Sequence, residues 1–168
     1  MLHYELVEKR IADLRSRIPS GGLREAIVRS LLYAGMDRAA VDERGFEALR
    51  RIRRSQSDVP LSVFKATVRE QFDMLSIDSE SAVAAIPAML PPDAATKQKA
   101  FDLICEVLGA RGSHSSEDLK RIRRIGSLYG LDGQLSSSEN LAIASSLRNE
   151  PPATASRVGG RRRTTGEN

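Results

Sequence analysis

The chain has no tryptophan, a single cysteine and few aromatic residues. One cysteine excludes an internal disulfide and argues against a thiolate zinc site. With so few rings, Leu, Ile, Val, Ala and Met must build the core, which suits helix packed on helix. No apolar run approaches ~18 residues, so no membrane span is expected. His3, Glu5, Glu8 and Lys9 interrupt the N-terminus, unlike a secretory signal. The expected setting is cytoplasmic. Also missing are His-Glu-x-x-His, Gly-x-Ser-x-Gly and a Walker-type glycine loop. No segment alternates apolar and polar residues between hairpin turns. Composition and pattern therefore point to an all-α protein without a catalytic constellation.

The chain is 168 residues long, enough for one domain with a real core. Its formal charge of +4 divides into two equal parts. Arg157, Arg161, Arg162 and Arg163 against Glu150 and Glu167 leave the tail at +2, so the body holds only the other +2. A concentrated basic face of the kind nucleic-acid-binding domains carry is not evident from these totals.

Apolar spacing predicts helices over residues 2–18, with Leu6, Val7, Ile11, Leu14 and Ile18 on one side, and 23–33, with Ala26, Ile27, Ser30 and Leu31. Pro19-Ser20-Gly21-Gly22 separates them, and Gly35 is a stop signal. Asp37 or Asp42 can cap a third helix to about Ser55. A long helix over 61–77 follows, with Pro60 as its first residue and a stripe of Val63, Phe64, Thr67, Val68, Phe72 and Leu75. Residues 79–90 form a short helix that Pro87 should bend. In 93–108, Ala100, Phe101, Ile104, Val107 and Leu108 face inward. Ser115 to Asp118 reads as a capping box opening a helix that closes at Tyr129-Gly130. A last helix spans about 136–147. The expectation is a bundle of about eight helices over residues 1–148, with a disordered basic tail over 149–168 rich in Arg, Gly and Pro.

One segment looks written twice. Glu47-Ala48-Leu49-Arg50-Arg51-Ile52-Arg53-Arg54 returns, offset by 70, as Glu117-Asp118-Leu119-Lys120-Arg121-Ile122-Arg123-Arg124. An offset of 73 instead pairs Phe46 with Leu119, Leu49 with Ile122 and Ile52 with Ile125. The first register matches identities better and the second matches apolar faces better. Two related helix–turn–helix units and two unrelated arginine-rich helices both fit the pattern.

The arginines have two readings. Arg50, Arg54 and Arg124 could meet an acidic partner or phosphates. Alternatively they form a solvated face neutralised by ion pairs, since Glu47 precedes Arg51, and Glu117 precedes Arg121, by four residues. No aromatic interleaves them as a stacking platform for single strands. Cys105, at the border of an apolar face, reads as a small core residue and not as a nucleophile.

Tyr33-Ala34-Gly35-Met36 through Val41 to Ile52 resembles the tellurite-resistance TerB-like helical domain, as does Leu108-Gly109-Ala110-Arg111-Gly112 through Leu131. Residues 8–131 are also similar to the C-terminal region of large bacterial polyhydroxyalkanoate-synthase-like proteins. Gly21 to Ala26 and Pro60 to Phe72 carry that likeness. The resemblance implies an all-helical bundle; no cofactor is expected. It also implies a protein-interaction or accessory role beside a synthase-like or hydrolase-like partner, whose chemistry lies in a separate portion. For TerB-like members it implies acidic metal ligands, here Asp37, Asp42 and Glu43. The second copy departs from that pattern at Arg111, which cannot coordinate a cation.

Overall fold

The computed structural model describes residues 2–35, 50, 52–54, 59–109 and 114–132. Among these residues there is helix and no strand. The helices are α1 (Leu2–Arg17), α2 (Leu23–Gly35), α3 (Leu61–Ile77), α4 (Ser79–Ala84), α5 (Ile86–Met89), α6 (Ala94–Gly109) and α7 (Ser116–Leu128). Residues 50 and 52–54 are helical as well. The all-α bundle expected from the sequence is the observed class. The last predicted helix and the tail lie outside the described residues.

α2 is the axle of the bundle. It packs against α3, α4, α5, α6 and α7. Its buried residues include every position from Ala26 to Leu31, and then Ala34. A helix buried on one side shows a stripe, whereas a helix enclosed by neighbours is buried all round. The periodic reading, which names Ala26, Ile27, Ser30 and Leu31, understates this, because Val28, Arg29 and Ala34 are buried as well. α6 behaves as a one-faced helix, and its buried set is the five residues expected.

α3 departs from its predicted stripe. Phe64, Thr67 and Leu75 are buried as expected, but so are Gln71 and Met74. Val63 and Phe72 are 47% and 50% exposed. The helix is turned so that two residues with acceptor atoms face α2, for a reason given below. α1 also differs along its length. Leu14 and Ile18 enter the core, while Leu6 and Val7 stand in solvent. Its inner half packs on α3, and Arg17 forms an ion pair with Glu70 there.

Local chemistry sets the ends. Asp78 caps α4 by accepting from the Ser81 amide at 3.0 Å and the Ser81 hydroxyl at 2.8 Å. The predicted helix over 79–90 is split at Ala85. Pro87 has no N–H to give to the carbonyl one turn back, so the chain restarts as α5 with proline in its first turn. Pro60 stands one residue earlier than expected, as the N-cap of α3. Ser115 and Asp118 form the anticipated capping box on α7, with bonds of 3.1 and 2.9 Å.

α7 ends in a Schellman turn. Gly130 sits at φ 75°, the Leu131 amide donates to Gly126 O at 3.0 Å, and the Gly130 amide donates to Ser127 O at 2.9 Å. Leu131 is buried beyond the turn, and Tyr129 just before it packs on Phe101 at 6.1 Å between ring centroids. Ser30 spends its proton on Ala26 O at 2.7 Å, so Tyr129 Oη donates to Ser30 Oγ at 3.2 Å. Burial pushes the Tyr129 phenol up to about 12.

Of the two arginine-rich segments, burial favours the face-matching register. Ile52 and Ile125 are both wholly buried, and Ile122 only partly. Arg50 and Arg54 are exposed and Arg53 is intermediate.

Candidate functional site

Two arginine centres organise the described residues, one inside the bundle and one on its surface. The interior centre is Arg29, whose side chain has no solvent exposure. Its Nε donates to Gln71 Oε1 at 2.7 Å, and Nη1 donates to Ile18 O and Ala82 O, each at 2.9 Å. Nη2 lies 3.3 Å from Met74 Sδ. This is why Gln71 and Met74 face inward on α3.

The two carbonyls have a shared meaning. Ile18 directly follows α1, and Ala82 is in the closing turn of α4. The last carbonyls of a helix lack intrahelical donors and carry its negative dipole end. Arg29 therefore satisfies two helix C-termini at once. Desolvation lowers its pKa, with Glu25 and Glu70 acting in the opposite sense. A guanidinium is the side chain suited to this position, because its five donors diverge in a plane from one delocalised charge. The arrangement is architectural, joining α1, α2, α3 and α4.

Sequence reading missed Arg29 altogether. The available signal was its setting, a lone charge in Ala26-Ile27-Val28-Arg29-Ser30-Leu31-Leu32. A cation within so apolar a run is either at a helix edge or inside with partners. Nothing in the spacing names Gln71 or Ala82, which are 42 and 53 residues away.

The surface centre is built on Tyr33 of α2. The guanidinium carbons of Arg121 and Arg124 each lie 5.7 Å from its ring centroid. Arg124 forks onto Glu80 of α4, with Nη1 to Oε1 at 3.1 Å and Nη2 to Oε2 at 2.7 Å. Nη1 also donates to Tyr33 Oη at 3.2 Å. The bonds from Arg124 hold the Glu80 carboxyl below its ordinary range, while Glu80 and then Tyr33 push the Arg124 pKa further up. Three helices thus meet in one cation–π and ion-pair cluster.

The other sequence-derived candidates fall as follows. Arg50 and Arg54 lie at exposed positions, and Arg124 is engaged by Glu80 and Tyr33. Asp37, Asp42 and Glu43 lie outside the described residues, as does Arg111. Among the described residues, no three His, Cys, Asp or Glu side chains converge as a metal ion would require. Cys105 is partly buried against the core, where burial and then the Asp102 charge push its thiol up to about 11. That is the opposite of what a nucleophilic cysteine needs. Among the described residues, no helix is long and apolar enough to cross a membrane.

No protein-family model matches the chain, and no solved structure matches it. It is similar to an uncharacterized protein in the ackA 5' region of Rhizobium meliloti, 44% identical over 135 residues. The match takes in 79% of this chain and 18% of that protein, so the chain spans about a fifth of its curated relative.

Proposed function

We propose that this chain is a non-catalytic accessory or protein-interaction domain serving a polyhydroxyalkanoate-synthase-like or hydrolase-like partner. The observation that carries the reading is the match to a small part of a much longer relative, as expected of a helical module beside a larger polypeptide. The likeness of residues 8–131 to the C-terminal region of synthase-like proteins supplies the class of partner. The described side chains support the non-catalytic part. The cysteine thiol is held protonated, and the most connected polar group, Arg29, is shut inside and committed to helix ends.

The test is capture of the tagged full chain from its native cells, followed by identification of bound proteins and assay of the recovered complex. Recovery of a synthase-like or hydrolase-like protein, in stoichiometric amount, is the expected result. Repeated capture without such a protein would overturn the reading, as would turnover of a hydrolysable ester by the isolated chain.

A further inference from the structure

The Tyr33 cluster has an asymmetry between its cationic and anionic halves. The cationic half is held in place. Arg124 lies by the Tyr33 ring and donates to its hydroxyl, and Arg121, one turn earlier on α7, lies by the same ring. The anionic half is not. The Glu80 side chain is 78% exposed, against 38% for Arg124. An ion pair so open to water contributes little, because both groups are well solvated when apart. Its carboxylate can therefore leave at small cost, whereas the guanidinium stays aimed by its ring.

A bidentate fork recognises planar oxyanions, and the group it holds here is a carboxylate. The phenol adds a donor. Tyr33 Oη accepts from Arg124, so its own proton points elsewhere and can be given to an incoming oxygen. Proximity to the ring, 5.7 Å from each guanidinium carbon to its centroid, also limits the freedom that two long side chains would otherwise lose on binding.

We propose that Arg124, Tyr33 and Arg121 form a docking point for an acidic side chain of a protein partner, which displaces Glu80 from the Arg124 fork. Glu80 acts as a resident surrogate that keeps the fork closed until the partner arrives. No covalent bond is made or broken; the two hydrogen bonds from Arg124 to Glu80 are exchanged for two to the incoming carboxylate. The inference rests on the reading of the chain as an interaction domain, and names the chemistry by which it would take hold.

The experiment is an NMR titration of the full chain with an acetylated, amidated Gly-Glu repeat peptide, following the Arg124 Nε–Hε signal. The matched Gly-Gln peptide and inorganic phosphate at equal ionic strength are the comparisons. Glu80→Gln should tighten binding of the Glu peptide by about threefold, the effect of removing one exposed competing ion pair. Arg124→Gln, followed by the backbone amide signals of α7 because the Nε–Hε signal is lost with the side chain, should abolish the response of those amides to the Glu peptide, and Tyr33→Phe, which keeps the ring, should weaken binding. Equal binding of the Glu and Gln peptides would overturn the proposal, as would a Glu80→Gln chain that binds no tighter than the parent. A response to phosphate as strong as that to the Glu peptide would replace the acidic-peptide assignment with a general oxyanion site. Failure here alongside successful capture of a synthase-like protein would remove this docking point and leave the accessory reading intact.

Discussion

Arg29 and Gln71 are joined across the α2–α3 interface by a 2.7 Å hydrogen bond, with both side chains out of water. Gln71 orients the guanidinium so that Nη1 reaches two helix ends. Arg29→Met should cost about 3 kcal/mol or more, because Gln71 Oε1, Ile18 O and Ala82 O would remain buried without donors. Urea unfolding would measure it. Arg29→Met with Gln71→Leu should recover part of the loss, since removing both partners costs less than orphaning one. Equal stability of parent and Arg29→Met would refute the account.

The Schellman turn after α7 gives a cleaner measurement. Nothing lies within 4 Å of where a Cβ on Gly130 would stand. Gly130→Ala should therefore lose about 1 kcal/mol from its positive φ alone. Gly21 contrasts with it, because a Cβ there would meet Met89 Cε at 2.9 Å as well as an unfavourable φ of 130°. Gly21→Ala should be the more damaging of the two by thermal melting.

Removing the α7 cap should act at one helix end. Ser115→Ala deletes the acceptor for the Asp118 amide and should destabilise the chain by about 1 kcal/mol. Hydrogen exchange should quicken in the first turn of α7 before it does in α6. Uniform acceleration across the bundle would contradict a local role.

Acid should weaken the fold through two helix caps. The Ser81 amide and then its hydroxyl lower the Asp78 pKa, and the Thr96 hydroxyl and then its amide lower that of Asp93. Each carboxyl is more acidic folded than unfolded, so the unfolded chain takes up protons first. Their stabilisation is complete above the ordinary carboxylate range and fades as pH falls below about 4.5. Melting temperature should hold steady from neutrality to that point and then drop. Asp78→Asn and Asp93→Asn should each flatten the drop.

Cys105 should resist modification. With its thiol pushed up to about 11, the thiolate is scarce at pH 8. Ellman's reagent should react slowly with the folded chain and quickly after denaturation. A fast folded-state reaction would reopen the question of a nucleophile.

The sequence was most readable where one rule acted alone. The inward face of α6, the Ser115 box and the stop at Gly130 each follow from local spacing or local hydrogen bonding. It misled where two elements shared a long-range partner. Hydropathy ranks phenylalanine above glutamine and so points Phe72 to the core in place of Gln71, yet Phe72 is 50% exposed and Gln71 is buried. The structure reverses them, since Arg29 needs an acceptor at that point. Arg124 was legible as an arginine on a helix surface. Its engagement by Glu80, 44 residues away, and by Tyr33, 91 residues away, was not.

The outer half of α1 keeps the heptad phase of its inner half. Tyr4, Val7, Ile11, Leu14 and Ile18 fall on one seam, yet only the last two are fully buried, and Tyr4 is 70% exposed. At 1.5 Å per residue, residues 3–10 make a rod of about 12 Å extending from the packed body. Such a rod is a ready splice point. A reporter fused through an uninterrupted helix would inherit a fixed orientation to the bundle, making its rotation a gauge of whether α1 stays seated.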